Sequence, residues 1–411
     1  MVGAKPRKKG GRLLVAAILL AIPFAVPSPV SGSVVRAPAA LRFGIKVTGN
    51  DLTSLAGGPP VRLLGVDRAS AERMCVQSGS TAVFQGPTNA ASIQAIQSWH
   101  ANAVRIPLNE DCWLGINGAP RELSGANYQH AIESYVSAFT AAGMYVILDL
   151  HWSAPGAILA NQQWPMADAD HSPAFWRSVA HAFKSDRAVI FDLFNEPFIT
   201  SWPCWKDGCA TTFTDKSGQT VTYRTAGMQQ LVDAVRSIGA HNPIMLGGLN
   251  YATDESAWAA YRPTDPDNQL IVSFHTYRTT ACNTQSCWNS TIAPLAKTMP
   301  VVTGEFGESD CADTYALAYM TWADANGISY LAWAWYAIGR GLSCATNYCL
   351  TIDYSGAPSP YGRGLHTHLA ALASAQTTSK SRAGLPLASN AVLTDRTLLA
   401  YPALTHSRAS P

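Results

Sequence analysis

Short, nearly continuous apolar runs alternate along this chain with longer stretches in which apolar residues recur at helical spacing. The runs that read as strands are Arg62 to Val66, Ala103 to Leu108, Tyr145 to His151, Val189 to Glu196, Pro243 to Leu249, Leu270 to Tyr277, Pro300 to Glu305 and Ile328 to Trp335. Their continuity, rather than a strict alternation, marks strands covered on both faces, as in parallel sheets. Helical patterns fill the intervals at residues 91–100, 128–142, 173–184, 226–240, 290–297 and 314–326, with 365–374 last. The interval near 254–261 shows only a short one. This succession predicts an α/β fold, a parallel (β/α)8 TIM barrel spanning 40–374. A doubly wound open sheet would want a glycine-rich first turn for phosphates, and Gly65-Val66-Asp67 supplies none. Before the first strand, Phe43 to Val47 and Pro60 to Leu64 flank the turn-rich Thr48 to Gly58, which predicts an N-terminal hairpin closing the bottom of the barrel.

The ends of the chain carry other signals. Lys5, Arg7, Lys8, Lys9 and Arg12 precede the apolar run Leu13 to Val26, with small residues around Ser31 to Ser33. This reads as a secretory signal peptide over residues 1–33, too short and too broken by Pro23 for a membrane span. The expectation is a secreted, extracellular protein with no membrane anchor after cleavage. Beyond residue 375 the sequence turns to Ser, Thr, Ala and scattered charges, predicting a flexible tail over 375–411. Nine cysteines agree with an oxidising destination. Cys204 and Cys209, Cys282 and Cys287, and Cys344 and Cys349 each suggest a local loop staple, Cys75 and Cys112 follow the first two strands, and Cys311 is left over. A formal net charge of +2 over 411 residues offers no footprint for nucleic acid. No CxxC, HExxH or HxxEH run occurs, so neither a metal nor any other cofactor is expected.

The strand ends carry the candidate chemistry. The run AVIFDLFNEPF stops on Asn195, Glu196 and Pro197, and a proline cannot continue a ladder. A carboxylate at the end of an apolar strand is costly without a partner or a task. A second apolar run, PVVTG, ends on Glu305, with Phe306 and Gly307 after it. Two glutamates brought to one barrel rim supply the carboxylate pair that glycoside hydrolysis needs. Other strand ends add Arg105 in NAVRIPL, His151 in LDLHW, His275 and Tyr277 in SFHTY, and Trp333 and Trp335 in AWAW. Alternation along a strand places His275 with Tyr277, and Trp333 with Trp335. Asp149 and Asp192, before the rim, suit hydrogen-bonding partners. Glu308 is the rival nucleophile, and Glu110 and Asp111 have no assignable role.

The ordered set NAVRIP, LDLHW, FNEP, SFHTY, GEFG and AWAW, covering roughly 61–372, resembles the family 5 glycoside hydrolases, the large cellulase family. The resemblance implies a retaining mechanism with Glu196 as acid/base and Glu305 as nucleophile. It further implies that Asn195 holds the sugar 2-hydroxyl, and that Arg105, His151, His275, Tyr277 and Trp333 line the subsite. Residue chemistry agrees: the Arg105 cation and the Tyr277 hydroxyl would favour an ionised Glu305. A second carboxylate and the apolar Phe194 and Phe198 would raise the proton affinity of Glu196. Retention requires the carboxyl groups to lie about 5 to 5.5 Å apart.

Trp113, Trp152, Trp164, Trp202, Trp205 and Trp288 follow strands, which suggests an indole-lined cleft for a β-linked polysaccharide. The resemblance, including the run Ile352 to Gly362, points to an endo-acting cellulase working as a monomer on β-1,4-glucan. The alternatives are β-mannanase, xyloglucanase or β-1,3-glucanase, and, from another class, a non-catalytic carbohydrate-binding barrel.

Overall fold

The computed structural model describes residues 43–338, 344 and 348–383. The expected signal peptide and residues 384–411 of the expected tail lie outside them. The chain opens with an antiparallel hairpin, β1 (Ile45–Thr48) and β2 (Asp51–Ser54), paired from Ile45 with Ser54 to Thr48 with Asp51. Gly49, at φ 64°, supplies the left-handed conformation that its two-residue turn demands. The second arm is therefore Asp51–Ser54 and not Pro60 to Leu64, of which Pro60 bridges back to Thr53 and Val61 N–H donates to Leu52 O at 2.7 Å.

Eight parallel strands close into the barrel: β3 (Leu64–Asp67), β4 (Ala103–Asn109), β5 (Tyr145–Trp152), β6 (Val189–Asp192) and, after a second hairpin of β7 (Ala210–Thr214) with β8 (Thr220–Arg224), β9 (Ile244–Gly247), β10 (Leu270–Tyr277), β11 (Val301–Gly307) and β12 (Ser329–Ala332). β12 pairs with β3 to complete the ring. All of these barrel strands are buried along nearly their whole length, which is why their sequences are continuous apolar runs. The first hairpin plugs the amino-terminal end: Ile45 and Leu52 pack with Leu63, Tyr145, Ile147, Ile190, Met245 and Val302 in a cluster separate from the main core.

Several predicted boundaries shift for local reasons. Ladder pairing of β6 stops at Asp192, yet Leu193 N–H still donates to Met245 O (3.1 Å) and Asn195 N–H to Leu150 O (3.0 Å). The segment stays spliced between β5 and β9, and Glu196 remains on the rim. β12 stops at Ala332, so alternation does not govern the tryptophans after it: Trp335 is fully buried edge-on against Trp99 at 4.9 Å. The last helix, Gly362–Ala383, runs past the boundary expected at 374. β7 and β8 were not anticipated; they are threonine-rich, with one face exposed and hydroxyls paired between Thr212 and Thr222 (2.8 Å) and between Thr214 and Thr220 (2.9 Å).

Disulfides join Cys75 to Cys112, Cys204 to Cys209, Cys282 to Cys287 and Cys311 to Cys344. The Cys344–Cys349 staple suggested by spacing is thus corrected. Cys311, in the turn after β11, reaches the loop after β12, while Cys349 is buried with Ala69, Ala334 and Tyr336.

Candidate active site

The carboxyl ends of the strands converge on Arg105. Its guanidinium, wholly buried on β4, donates to Asp67 Oδ1 (3.1 Å), Asp192 Oδ2 (3.0 Å), Asn195 Oδ1 (2.8 Å) and Glu305 Oε1 (2.7 Å), and lies 3.1 Å from Asp149 Oδ2. Four carboxylates around one cation cannot all be ionised at modest cost. Burial, only partly offset by Arg105, accordingly raises Asp67 well above the ordinary carboxylate range and Asp192 to about 6. Arg105 has no exposed surface, so it acts on the site through Asn195 and Glu305.

Glu305 owes its placement to a β-bulge. Between β10 and β11 the register slips so that Phe274 faces Thr303 and His275 faces Glu305, leaving Gly304 as the extra residue. A Cβ at Gly304 would lie 2.9 Å from His275 Nε2 and 3.1 Å from Ser273 Oγ, so glycine is what lets the imidazole lie over the strand. Tyr277 Oη donates to Glu305 Oε2 at 2.6 Å. Burial first, then the nearby carboxylates, push the Tyr277 phenol well above its ordinary range, which keeps it a donor.

Glu196 faces Glu305 from the β6 end. Its Oε1 shares a 3.0 Å hydrogen bond with His275 Nδ1, and its Oε2 accepts from Gln163 Nε2 at 2.9 Å. His275 Nδ1 is also 3.8 Å from Glu305 Oε2, and oxygens of the two glutamates lie within 4.8 Å of one another. The expected rise in Glu196 proton affinity is not found. Burial acts in that direction, but the hydrogen bonds from His275 and Gln163 outweigh it and hold the carboxyl below its ordinary value. His275, with no exposed surface, acts through the glutamates and not as a lining residue.

The remaining predicted residues form the open side. His151 Nδ1 bonds Asp149 Oδ2 at 2.7 Å, and its ring stacks on Trp333 (centroids 5.3 Å apart, planes 9° apart). Burial would lower the imidazole's pKa, but Asp149 and then Glu305 and Glu72 raise it to about 9, so it is cationic near neutrality. His151, Asn195, Glu196, Tyr277, Glu305 and Trp333 line one cleft of about 270 Å³ together with Thr279, Thr280 and Tyr348. Tyr348 packs edge-on against Tyr277 (5.4 Å) from beyond the last strand, where no period announces it. Glu308, the rival nucleophile, instead caps a helix by accepting from Ala316 N–H at 3.0 Å.

Most of the expected indole lining is absent. Trp113, Trp164, Trp205 and Trp288 are core residues, each at most 3% exposed. Trp152 and Trp202 are half-buried. Sequence reasoning missed Tyr251, which is 44% exposed and stacked on Phe198 (4.9 Å) two residues from Glu196. Its left-handed backbone (φ 61°) and its N–H bond to Pro197 O turn it toward that side. Glu196, His275 and Glu305 could also be read as metal ligands by proximity. The Arg105 guanidinium already on Glu305 opposes a cation there.

A closed eight-stranded barrel with two facing carboxylates at its carboxyl rim defines the class of barrel hydrolases that act on glycosyl bonds. A family model, Cellulase (glycosyl hydrolase family 5), matches residues 67–339, and the chain belongs to that family. It is 24% identical over 245 residues to endoglucanase MaCel5A of Microbulbifer sp., covering 58% of this chain and 42% of that one. It is 23% identical over 267 residues to endoglucanase CelA of Streptomyces lividans, covering 63% and 51%. The chain thus spans about half the length of these relatives. The fold is that of the β-glucanase SdGluc5_26A from Saccharophagus degradans, with TM-score 0.58, 17% identity, and 82% of this chain and 98% of that one covered.

Proposed function

We propose that the protein is a secreted, retaining, endo-acting hydrolase of β-1,4-glucan, with the barrel as its catalytic unit. The observation that carries this reading is the approach of Glu196 and Glu305 oxygens to within 4.8 Å. Inversion needs carboxyl groups roughly 6.5 to 9.5 Å apart to admit a water between acid and sugar.

In this reading Glu305, oriented by hydrogen bonds from Arg105 and Tyr277, attacks the anomeric carbon and forms a glycosyl ester. The glycosidic C–O bond breaks, and its electron pair leaves with the departing oxygen, which takes a proton from Glu196. In the open site the hydrogen bonds from His275 and Gln163 hold the Glu196 carboxyl low. A sugar that displaces solvent disfavours the charged carboxylate and favours the protonated form that this step needs. Water then adds to the ester with Glu196 as base, restoring both carboxyls and the configuration.

Trp333, backed by His151, gives a flat apolar face for one pyranose, and Asn195 lies beside both glutamates to meet its 2-hydroxyl. The stacked Phe198 and Tyr251 offer a second aromatic face near Glu196, which suits a chain longer than one sugar. The Saccharophagus degradans β-glucanase has a structure with cellotetraose, in keeping with a β-glucan ligand.

Proton NMR of the first product, together with reducing-sugar release from carboxymethylcellulose, mannan, xyloglucan and laminarin, tests this. The β anomer and preference for carboxymethylcellulose are expected. The α anomer would refute retention, and preference for another polymer would transfer the activity to that substrate.

A further inference from the structure

A second cluster of ligating side chains lies outside the catalytic cleft. Glu110 follows directly on β4, while Asp168 and His171 end the loop that leaves β5. One ligand atom from each lies within 4.8 Å of the others. Glu110 and Asp168 have no exposed surface, and both accept from the single Ser172 hydroxyl, at 2.6 Å and 3.1 Å. Among the described residues the only ion-pair partner of either carboxylate is His171, 3.7 Å from Asp168. Glu110 Oε1, fully buried, has no hydrogen-bond partner, and neither has His171 Nδ1. Two adjacent buried carboxyls without a Lys or Arg are relieved either by a proton kept on one of them or by a positive charge from elsewhere.

From this arrangement we propose that Glu110, Asp168 and His171 bind one divalent transition-metal ion as a structural clamp. Three ligands about 2.1 Å from one ion stand roughly 3.0 to 3.4 Å from one another, so atoms spaced up to 4.8 Å apart draw in by about an ångström or more as the ion binds. Carboxylate oxygens with one imidazole nitrogen select manganese- or zinc-like ions over calcium, which takes oxygen alone. The His171 side chain, 24% exposed, is the opening to solvent.

The clamp joins three pieces of the catalytic face. Glu110 comes from the β4 end and Asp168 from the β5 loop that carries Gln163, the donor to Glu196. Asp168 in turn bridges Thr225 beside β8, tying in the second hairpin. Binding therefore stabilises the loop that holds the acid/base from behind.

The full chain, stripped with chelator and desalted, is titrated with Mn2+ alone, reading bound ion by loss of the free Mn2+ paramagnetic signal and the melting temperature in parallel; a second arm uses Zn2+ with dialysis. One ion per chain is expected, with a melting rise of roughly 3 to 4 °C at a hundredfold excess over Kd. Glu110→Gln and His171→Ala should each weaken binding at least about tenfold. His171→Ala, at a partly exposed position, keeps the test valid should Glu110→Gln fail to fold. The proposal is overturned if neither metal binds, if both variants bind as tightly as the parent, or if Glu305→Gln alone removes the ion.

Discussion

At the residue scale, the site depends on which groups hold protons. Removing the Gln163 donor should release Glu196 toward an ordinary carboxyl. Gln163→Leu is expected to move the alkaline limb of the kcat/KM profile to higher pH; a limb that stays or falls would discredit the hydrogen-bond explanation. His151 gives a stability effect of opposite sense to a carboxylate. Its folded pKa of about 9 lies above its ordinary value of 6.5, so its contribution is complete below 6.5 and disappears as pH rises through 9. Of order 3 kcal/mol at most should be lost across that window. The melting temperature of His151→Phe, followed from pH 6 to 10, should lack the alkaline fall that the parent shows. Glu196→Ala should lower kcat on a polysaccharide by about 10²- to 10⁴-fold. Less should be lost on an aryl glycoside whose leaving group departs without a proton.

At the element scale, the first hairpin and the disulfides add stability from outside the catalytic cleft. Leu52, 4% exposed beneath the barrel, should cost about 2 to 5 kcal/mol when replaced by alanine, measured by denaturant unfolding. Activity per folded molecule should be unchanged. The Cys311–Cys344 link closes 33 residues, and its loss in Cys311→Ser should cost about 2 to 4 kcal/mol. Non-reducing peptide mapping that recovers Cys344 joined to Cys349 would contradict the pairing.

These elements also explain what could be read in advance. Leu270–Tyr277 emerged at its expected bounds, because a strand buried on both faces reads as a short continuous apolar run bounded by turn residues. β7 and β8 escaped because exposed threonine strands have no apolar run to reveal them. The cysteine spacing misled because local and distant pairing look alike in one dimension. Trp113, Trp164, Trp205 and Trp288 were misassigned since a tryptophan after a strand is equally able to fold back onto the core. That Glu196 and Glu305 share one rim was legible because buried polar groups at the ends of apolar strands are expensive enough to need a reason. Gln163 and Tyr348 were not, being single polar or aromatic residues in loops without period.

At the scale of the whole molecule, barrel closure is what brings β6 and β11 rims face to face; Glu196 and Glu305 are far apart in sequence and meet only across the ring. Arg105 reaches both neighbourhoods at once, bonding Asn195 and Glu305. Among the described residues no helix is long and apolar enough to cross a membrane. The central claim is that Glu305 becomes covalently glycosylated during turnover. Its most direct test is incubation with a 2-deoxy-2-fluoro cellobioside bearing a good leaving group, followed by proteolysis and mass mapping of the trapped sugar. One sugar per chain on Glu305 is the expected result; a sugar on Glu308 or another residue, or no adduct while the reagent is hydrolysed with inversion, would contradict it.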